Sequence, residues 1–446
     1  MNSDFSLLAE DIGRLTATRR YGHVAAIGPG SLTVAGLSRQ ARIGDIIAVQ
    51  TRTGPMGGEI VALDRTGARV MTYGPADGVG LGDAVALENG AGLWPDLSWA
   101  GRIVDAFGVP LDGRPIARGP AAATLRAAAL PAAWRKPVGR RLKTGLAAFD
   151  AMLPLARGQR IGIFAGSGVG KSSLLAALAR EVEADVVVLA LIGERGRELR
   201  HFTDAVLGPA GLARSVVVAA TSDQSPLIKR RAAWTAMAVA EAFRDAGRHV
   251  LLLVDSVTRF AEAHREIALT AGEPASLRAF PPSTASLVAA LTERAGPGLE
   301  ASATGRVGNG GAGDITAVFS VLVAGSDMEE PVADITRGLL DGHVVLDRNI
   351  AERGRFPAID VRRSVSRALP EAATAAENRL ILRAREILGV YEAAEPMIQT
   401  GLYVKGADAR LDRAVAVWPA LDQFFTQSFP EGPPVALARL AEILGE

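Results

Sequence analysis

The chain is predicted to be an α/β protein, with a small β-barrel ahead of its central sheet and a helical domain behind it. Three observations predict this. Apolar runs at Asp185 to Ile192, Ser215 to Ala219, His249 to Val254 and Ile315 to Leu322 alternate with helix-like stretches at Ala232 to Ala246 and Arg259 to Leu269. Strands that alternate with helices imply a mostly parallel sheet, with ligands at the carboxyl ends of its strands. Five shorter runs upstream are divided by glycine-bearing turns at close spacing, the pattern of a small barrel. Downstream, Ala372 to Ala393 carries helical periodicity and no strand pattern. The expected divisions are an N-terminal helix over 1–18, the barrel over 19–92, the α/β domain over 93–369 and the helical domain over 370–446.

At the N-terminus, Leu7, Leu8, Ile12 and Leu15 lie at helical intervals. A short amphipathic piece of this kind suits docking to a partner, or is a frayed end. The barrel strands are expected at Val24 to Ile27, Leu32 to Val34, Ile46 to Val49, Glu59 to Leu63 and Arg69 to Met71. They contain no Phe, Trp or Tyr, and Tyr21 and Tyr73 fall only at their edges. Barrels that bind single-stranded nucleic acid stack bases on aromatic rings. This one is therefore expected to be structural, with no nucleic acid among its partners. From about 114 to 142 the chain turns rich in Pro, Ala and Arg, and its cluster Arg135, Lys136, Arg140, Arg141 and Lys143 reads as a solvated connector.

The next element is the most specific. An apolar run, Ile161 to Phe164, leads into Ala165-Gly166-Ser167-Gly168-Val169-Gly170-Lys171-Ser172-Ser173, and a helix-like stretch follows from Leu174. Strand, glycine-rich turn and helix start together make a phosphate-binding loop. Its glycines let backbone N–H groups converge on phosphate oxygens, and the helix N-terminus adds partial positive charge. Lys171 would reach the β- and γ-phosphates of a bound nucleotide, and the Ser172 hydroxyl would ligate Mg²⁺. Ala165 replaces the usual first glycine. The run Val250 to Val254 ends in Asp255, a carboxylate placed to hold the Mg²⁺ shell. After another predicted strand comes Gly193-Glu194-Arg195. Hydrolysis needs a group that orients water and cations that neutralise the γ-phosphoryl. Glu194 and Arg195 supply one of each, a surface ion pair being the ordinary alternative.

Composition narrows the setting. The formal net charge is +1, so the whole molecule is no general polyanion binder, and the absence of cysteine excludes disulfides and thiolate metal sites. The N-terminus lacks the layout of a signal peptide, and runs such as Val250 to Val254 are too short to span a bilayer. A cytoplasmic location is expected.

From Gly101 to Gly406 the sequence resembles the hexameric ATPases related to the catalytic subunit of rotary ATP synthases, and in particular the flagellar and type III secretion export ATPases. The resemblance is carried by Gly101-Arg102-Ile103-Val104-Asp105, Thr144-Gly145 with Asp150, Arg157-Gly158-Gln159-Arg160, Ala220 to Asp223, Asp255 to Ala261, Glu293 to Gly296 and Leu340 to Leu346. It implies a RecA-like nucleotide domain, ATP and Mg²⁺ as ligands, and a homohexameric ring. It further implies a protein-secreting ATPase peripheral to an inner-membrane export apparatus. Its partners would be a regulator or stator at the N-terminus, a membrane export gate, export substrates and their chaperones. Ser364-Val365-Ser366-Arg367 resembles the segment whose arginine enters the neighbouring subunit's site. Phe356 stands where relatives place an aromatic ring on adenine, and Tyr403 is expected to close the same pocket. Flagellar export is favoured over a virulence injectisome; a synthase catalytic subunit and an RNA-translocating hexamer are the further alternatives. One departure is Thr284 to Leu291, bland where relatives are more basic and aromatic. A glycine cluster, Gly305 to Gly313, suggests a loop without assignable function.

Overall fold

A computed structural model describes residues 20–37, 39–88, 92–276, 279–300, 313–323 and 327–446. The stripe of Leu7, Leu8, Ile12 and Leu15, and the cluster from Gly305 to Gly311, lie outside the described residues. Two compact units are present. The first is the described part of Met1–Gly92 with Gln224–Ile228 and Ala263–Pro281; the second is Leu93–Asp223, Lys229–Glu262 and Pro282–Glu446.

The first unit is built on β1 (Arg20–Gly28), β2 (Ser31–Ala35), β3 (Ile46–Thr51), β4 (Gly54–Leu63), β5 (Ala68–Thr72) and β6 (Ala84–Glu88). They form a closed barrel in the order β1-β2-β5-β4-β3-β6, with β1 pairing antiparallel to β6. Alternation decides which side chains enter it: in β2, Leu32 and Val34 are buried while their neighbours are half-exposed. Val24, Ile47, Val49, Ile60, Val70 and Val85 complete the filling. β6 is not legible as a strand in the sequence, because its five residues alternate weakly. Tyr21 corrects the expectation of aromatic-free strands, for it lies within β1, 55% exposed. In the same unit Val61 and Met71 pack on Leu227 and Ile267, and Arg69 donates to the Thr270 carbonyl at 3.0 Å.

The second unit carries β7 (Arg102–Val104), β8 (Arg160–Ala165), β9 (Val186–Glu194), β10 (Ser215–Thr221), β11 (His249–Asp255), β12 (Asp314–Leu322), β13 (Gly342–Leu346) and β14 (Ile359–Ser366). The sheet order is β14-β13-β8-β12-β11-β9-β10-β7. Every neighbouring pair is parallel except β13 and β14. Strands covered on both faces read as continuous apolar runs, and every residue of β11 is buried. The α-helices among the described residues are α1 (Lys171–Glu181), α2 (Gly196–His201), α3 (Gly208–Ala213), α4 (Pro226–Asp245), α5 (Val257–Ala271), α6 (Ser283–Thr292), α7 (Pro331–Leu339), α8 (Arg348–Glu352), α9 (Ala375–Gln399), α10 (Ala409–Phe424) and α11 (Pro433–Leu444). α9 starts at a capping box, Thr374 accepting from the Glu377 N–H while the Glu377 carboxylate accepts from the Thr374 N–H. Leu380 and Ile381 of α9, Leu421 and Phe424 of α10 and Leu440 of α11 share one buried cluster with Phe149 and Val361.

The arginine-rich approach to β8 is only partly the expected solvated connector: Arg140 is 68% exposed, but three of its other cations are tied into the protein. Arg135 donates to the carbonyls of Leu130 (3.1 Å), Ala295 (3.1 Å) and Glu293 (2.6 Å), Lys136 pairs with Asp314 at 2.6 Å, and Arg141 donates to the Asp150 carbonyl. Irregular backbone near the core leaves carbonyls without ladder partners, and the guanidinium groups supply the missing donors.

His249, at the start of β11, is 4% exposed and hydrogen-bonds the Thr316 hydroxyl at 2.8 Å. Burial, aided by Arg157, pushes its pKa down from 6.5 to about 4. The unfolded chain takes up this proton near 6.5 and the folded chain only near 4, so the neutral histidine's stabilisation is full above the upper value and lost as pH falls to the lower one. The loss is roughly 3 kcal/mol. Urea-unfolding midpoints should fall across that window, and His249→Gln should flatten the fall; an unchanged slope in the variant would refute the assignment.

Candidate active site at the carboxyl edge of the sheet

β8 ends at Ala165, and the chain turns through Gly166 to Gly170 into α1. Val169 plugs the turn into the core, while Ser167 and Gly168 stand exposed at its tip. Gly170 takes φ +89°, and its carbonyl accepts from the Leu174 N–H at 3.0 Å, which opens the helix. A Cβ at Gly170 would be strained and would stand 3.3 Å from the ring of Phe356. The unpaired N–H groups of the first turn and the helix dipole make this end of α1 a site for anions. Ser172 and Ser173 are exposed on that turn, and Lys171 is 9% exposed.

Lys171 forms an ion pair with Asp255, the last residue of β11. β12 runs between β8 and β11, and its Ser320 hydroxyl, fully buried, donates to Asp255 at 2.7 Å. Sequence reasoning missed Ser320. Its signal is a lone hydroxyl inside the apolar run Val318-Phe319-Ser320-Val321, which has meaning only once β12 is known to lie between the other two strands. β9 flanks β11 on the other side and ends at Glu194. Burial foremost, and the Asp255 charge after it, hold the Glu194 carboxyl above its ordinary range, with Lys171 pulling the other way. Lys171 at the start of α1, Asp255 at the end of β11 and Glu194 at the end of β9 thus converge at the carboxyl edge of the sheet. Arg195 does not join them: its side chain is 68% exposed and pairs with Glu198 at 3.4 Å.

The remaining expected residues lie as follows. Phe356, 50% exposed, sets its ring beside Gly170. Tyr403 lies between α9 and α10, and its hydroxyl donates to Asp412 at 2.6 Å. Arg367 follows β14 at the opposite edge of the sheet, with its Nη1 donating to the Leu340 carbonyl at 3.1 Å. A cleft of about 650 Å³ lined by Arg353, Arg355, Arg362 and Arg363 is a separate feature. Those arginines are paired with Glu395, Asp422, Glu392 and Asp347. Among the described residues no three His, Asp or Glu side chains gather into a metal cage. Mg²⁺ rarely uses such cages; one or two protein oxygens with substrate phosphates and water suffice. The Ser172 hydroxyl and the Asp255 carboxylate, beside a turn shaped for phosphate, fit that requirement.

A parallel sheet with a phosphate loop at its carboxyl edge, and a lysine and two carboxylates gathered there, defines a P-loop nucleotide-binding protein. The model of the ATP synthase alpha/beta family, nucleotide-binding domain, matches residues 145–366, and that of the T3SS EscN ATPase C-terminal domain matches 373–441. The chain is 44% identical to the flagellum-specific ATP synthase of Caulobacter vibrioides, over 96% of this chain and 95% of that protein. It is 39% identical to the type 3 secretion system ATPase of Pseudomonas syringae, over 98% and 97%. Among solved structures it is similar to EscN from the type III secretion system of enteropathogenic E. coli, as the assembled ATPase (TM-score 0.85, 34% identity, 95% of this chain and 100% of that one) and in complex with its central stalk EscO (TM-score 0.82, 33% identity, 95% and 100%). The chain belongs to the ATP synthase alpha/beta family, in the branch of flagellum-specific ATP synthases and type III secretion ATPases. It is an ATP-hydrolysing enzyme of that family, and no helix among its described residues is long and apolar enough to cross a membrane.

Gly170→Ala should strain the loop by about 1–3 kcal/mol and weaken nucleotide binding by about 10- to 100-fold. Titration with a fluorescent nucleotide checks this; parental affinity in the variant would remove Gly170 from the phosphate site.

Proposed function

We propose that this chain hydrolyses Mg·ATP as a homohexamer to drive protein export through a flagellar apparatus, with each site completed by its neighbour. The convergence of Lys171, Asp255 and Glu194 at the carboxyl edge of the sheet carries the reading. The backbone N–H groups from Gly166 to Ser173, with the Lys171 ammonium, would hold the phosphates, drawing Lys171 from Asp255 toward the β- and γ-oxygens. Ser172 and Asp255 would hold Mg²⁺, which supplies neutralisation of the phosphoryl charge. Phe356 would offer its ring face to adenine. Glu194, as the carboxylate, would orient the water whose oxygen bonds to the γ-phosphorus while the bond to the ADP oxygen breaks, yielding ADP and phosphate.

Arg367 cannot complete this site in its own subunit. β8 separates the two places, and its length from Arg160 to Ala165 is about 16 Å at the usual strand rise. We assign Arg367 to the site of the next subunit, where a finger supplied in trans contributes about 10³-fold or more. Arg195, turned to solvent, stands as a secondary candidate for the same charge. Tyr403, tied locally to Asp412, would close the adenine pocket. Flagellar rather than injectisome service is favoured by the higher identity to the flagellum-specific relative. By analogy with EscN and its stalk EscO, a central stalk protein is expected in the ring. A regulator or stator at the N-terminal segment, an export gate, and substrates with chaperones are the further partners proposed, with the ring peripheral to the inner membrane.

Glu194→Gln should bind ATP with parental affinity and not turn it over, because the amide keeps the shape but polarises water poorly; near-parental hydrolysis would remove Glu194 from this role. As the sole copy in cells the variant should leave flagellar filaments unassembled, and normal filaments would refute the export reading. Arg367→Ala should bind nucleotide and lose about 10³-fold in kcat. Mixed with Lys171→Ala it should regain activity, since some interfaces then pair an intact Lys171 with an intact Arg367. Absence of that rescue would show that Arg367 does not act across subunits.

A further inference from the structure

The structure assigns Gln159 as the residue that positions Arg367 for the neighbouring subunit. Gln159 immediately precedes β8 and is 1% exposed. The Ala156 N–H donates to its Oε1 at 2.9 Å, which fixes the orientation of the amide. Its Nε2 then donates to the Asp341 carbonyl at 2.9 Å and to the Ser366 hydroxyl oxygen at 3.2 Å. Both acceptors hold Arg367. The same Asp341 carbonyl accepts from the Arg367 N–H at 3.0 Å, and Ser366 is its chain neighbour, itself donating to the Pro154 carbonyl at 2.6 Å. The Asp341 carboxylate accepts from the Arg160 N–H at 3.0 Å and from its guanidinium, which anchors this turn to the start of β8. Gly342 lets the two segments close: at φ +152° it has no Cβ, and one would stand 2.6 Å from the Val365 carbonyl oxygen and 3.5 Å from the Arg367 nitrogen.

A buried amide that satisfies three polar groups is costly to replace with an apolar side chain, because each partner loses its bond without gaining water. The segment carrying Arg367 would then shift, and a misplacement of about 1 Å in a catalytic group costs about 10²-fold. The phosphate loop lies at the other end of β8 and shares none of these bonds. Gln159 therefore acts on the neighbour's reaction through Arg367, while its own subunit's nucleotide site is left intact. This inference rests on the reading of Arg367 as a finger in trans.

The test is complementation. Gln159→Leu, with folding checked by circular dichroism and assembly by sedimentation, should bind a fluorescent ATP analogue with parental affinity and lose about 10²-fold in kcat. Mixed with Lys171→Ala, it should regain activity, because Lys171→Ala subunits supply a well-held Arg367 to intact phosphate loops. A purely structural defect at the start of β8 would damage the variant's own site and would not be rescued. Parental kcat, lost nucleotide affinity, or no rescue in a mixture where Arg367→Ala is rescued, overturns the role of Gln159. If Arg367→Ala is itself not rescued, the finger in trans fails, and this inference with it. Should Gln159→Leu not fold, Ser366→Ala removes one of the same bonds and carries the same comparison, with the same outcomes for and against.

Discussion

The buried pairing of Lys171 with Asp255 is the constraint on which the rest of the site depends. Two opposite charges held away from water are tolerated only when they are paired and hydrogen-bonded, since removing either leaves the other uncompensated. Ser320 supplies the added hydrogen bond, and the order β8-β12-β11 is what brings the three side chains to one place. A parallel sheet aligns its strand ends, so a loop after β8, a carboxylate after β11 and a carboxylate after β9 share one edge. Burial at this edge, and the Asp255 charge after it, raise the Glu194 carboxyl, while Lys171 draws it down.

The opposite edge of the sheet is organised by neutral hydrogen bonds instead. Gln159, Ser366 and the Asp341 carbonyl make a small buried polar network, fully satisfied, with Arg160 and Asp341 bracing it at the half-buried margin. Such networks rigidify what they touch, because any displacement breaks several bonds at once. β8 joins the two edges covalently, with the phosphate loop at one end and the cradle of Arg367 at the other. A ring built from such subunits would place each strand between the site it serves and the arginine it lends.

Arginine does much of the structural bonding elsewhere. Arg102 grips Asp112 through both Nε and Nη2 at 2.7 Å and also donates to the Pro115 and Arg114 carbonyls. Arg294 grips Glu241 in the same two-pronged way, at 3.0 and 2.5 Å. Arg294 also donates to the Leu125 carbonyl at 2.5 Å, so both planar forks hold the irregular stretches between β6 and β8 without a regular ladder. They also explain why a sequence rich in positive charge there is no sign of a polyanion site.

By itself the sequence determined the local elements. Glycine spacing wrote the phosphate loop, and apolar runs wrote β9, β10, β11 and β12 to within two residues at each end. Asp255 was legible because it terminates such a run, and helical periodicity wrote α4, α5 and α9. These signals are local, since φ preference and side-chain alternation act over a few residues. Tertiary structure alone decided which distant residues meet. Lys171 meets Asp255 across 84 positions, and Gln159 meets Ser366 across 207. It turned Arg195 outward although its neighbour Glu194 faces the site, and it made anchors of Arg135 and Arg141. Their partners are set by strand order and register, which no local pattern records, and that is the physical reason they had to be seen in three dimensions.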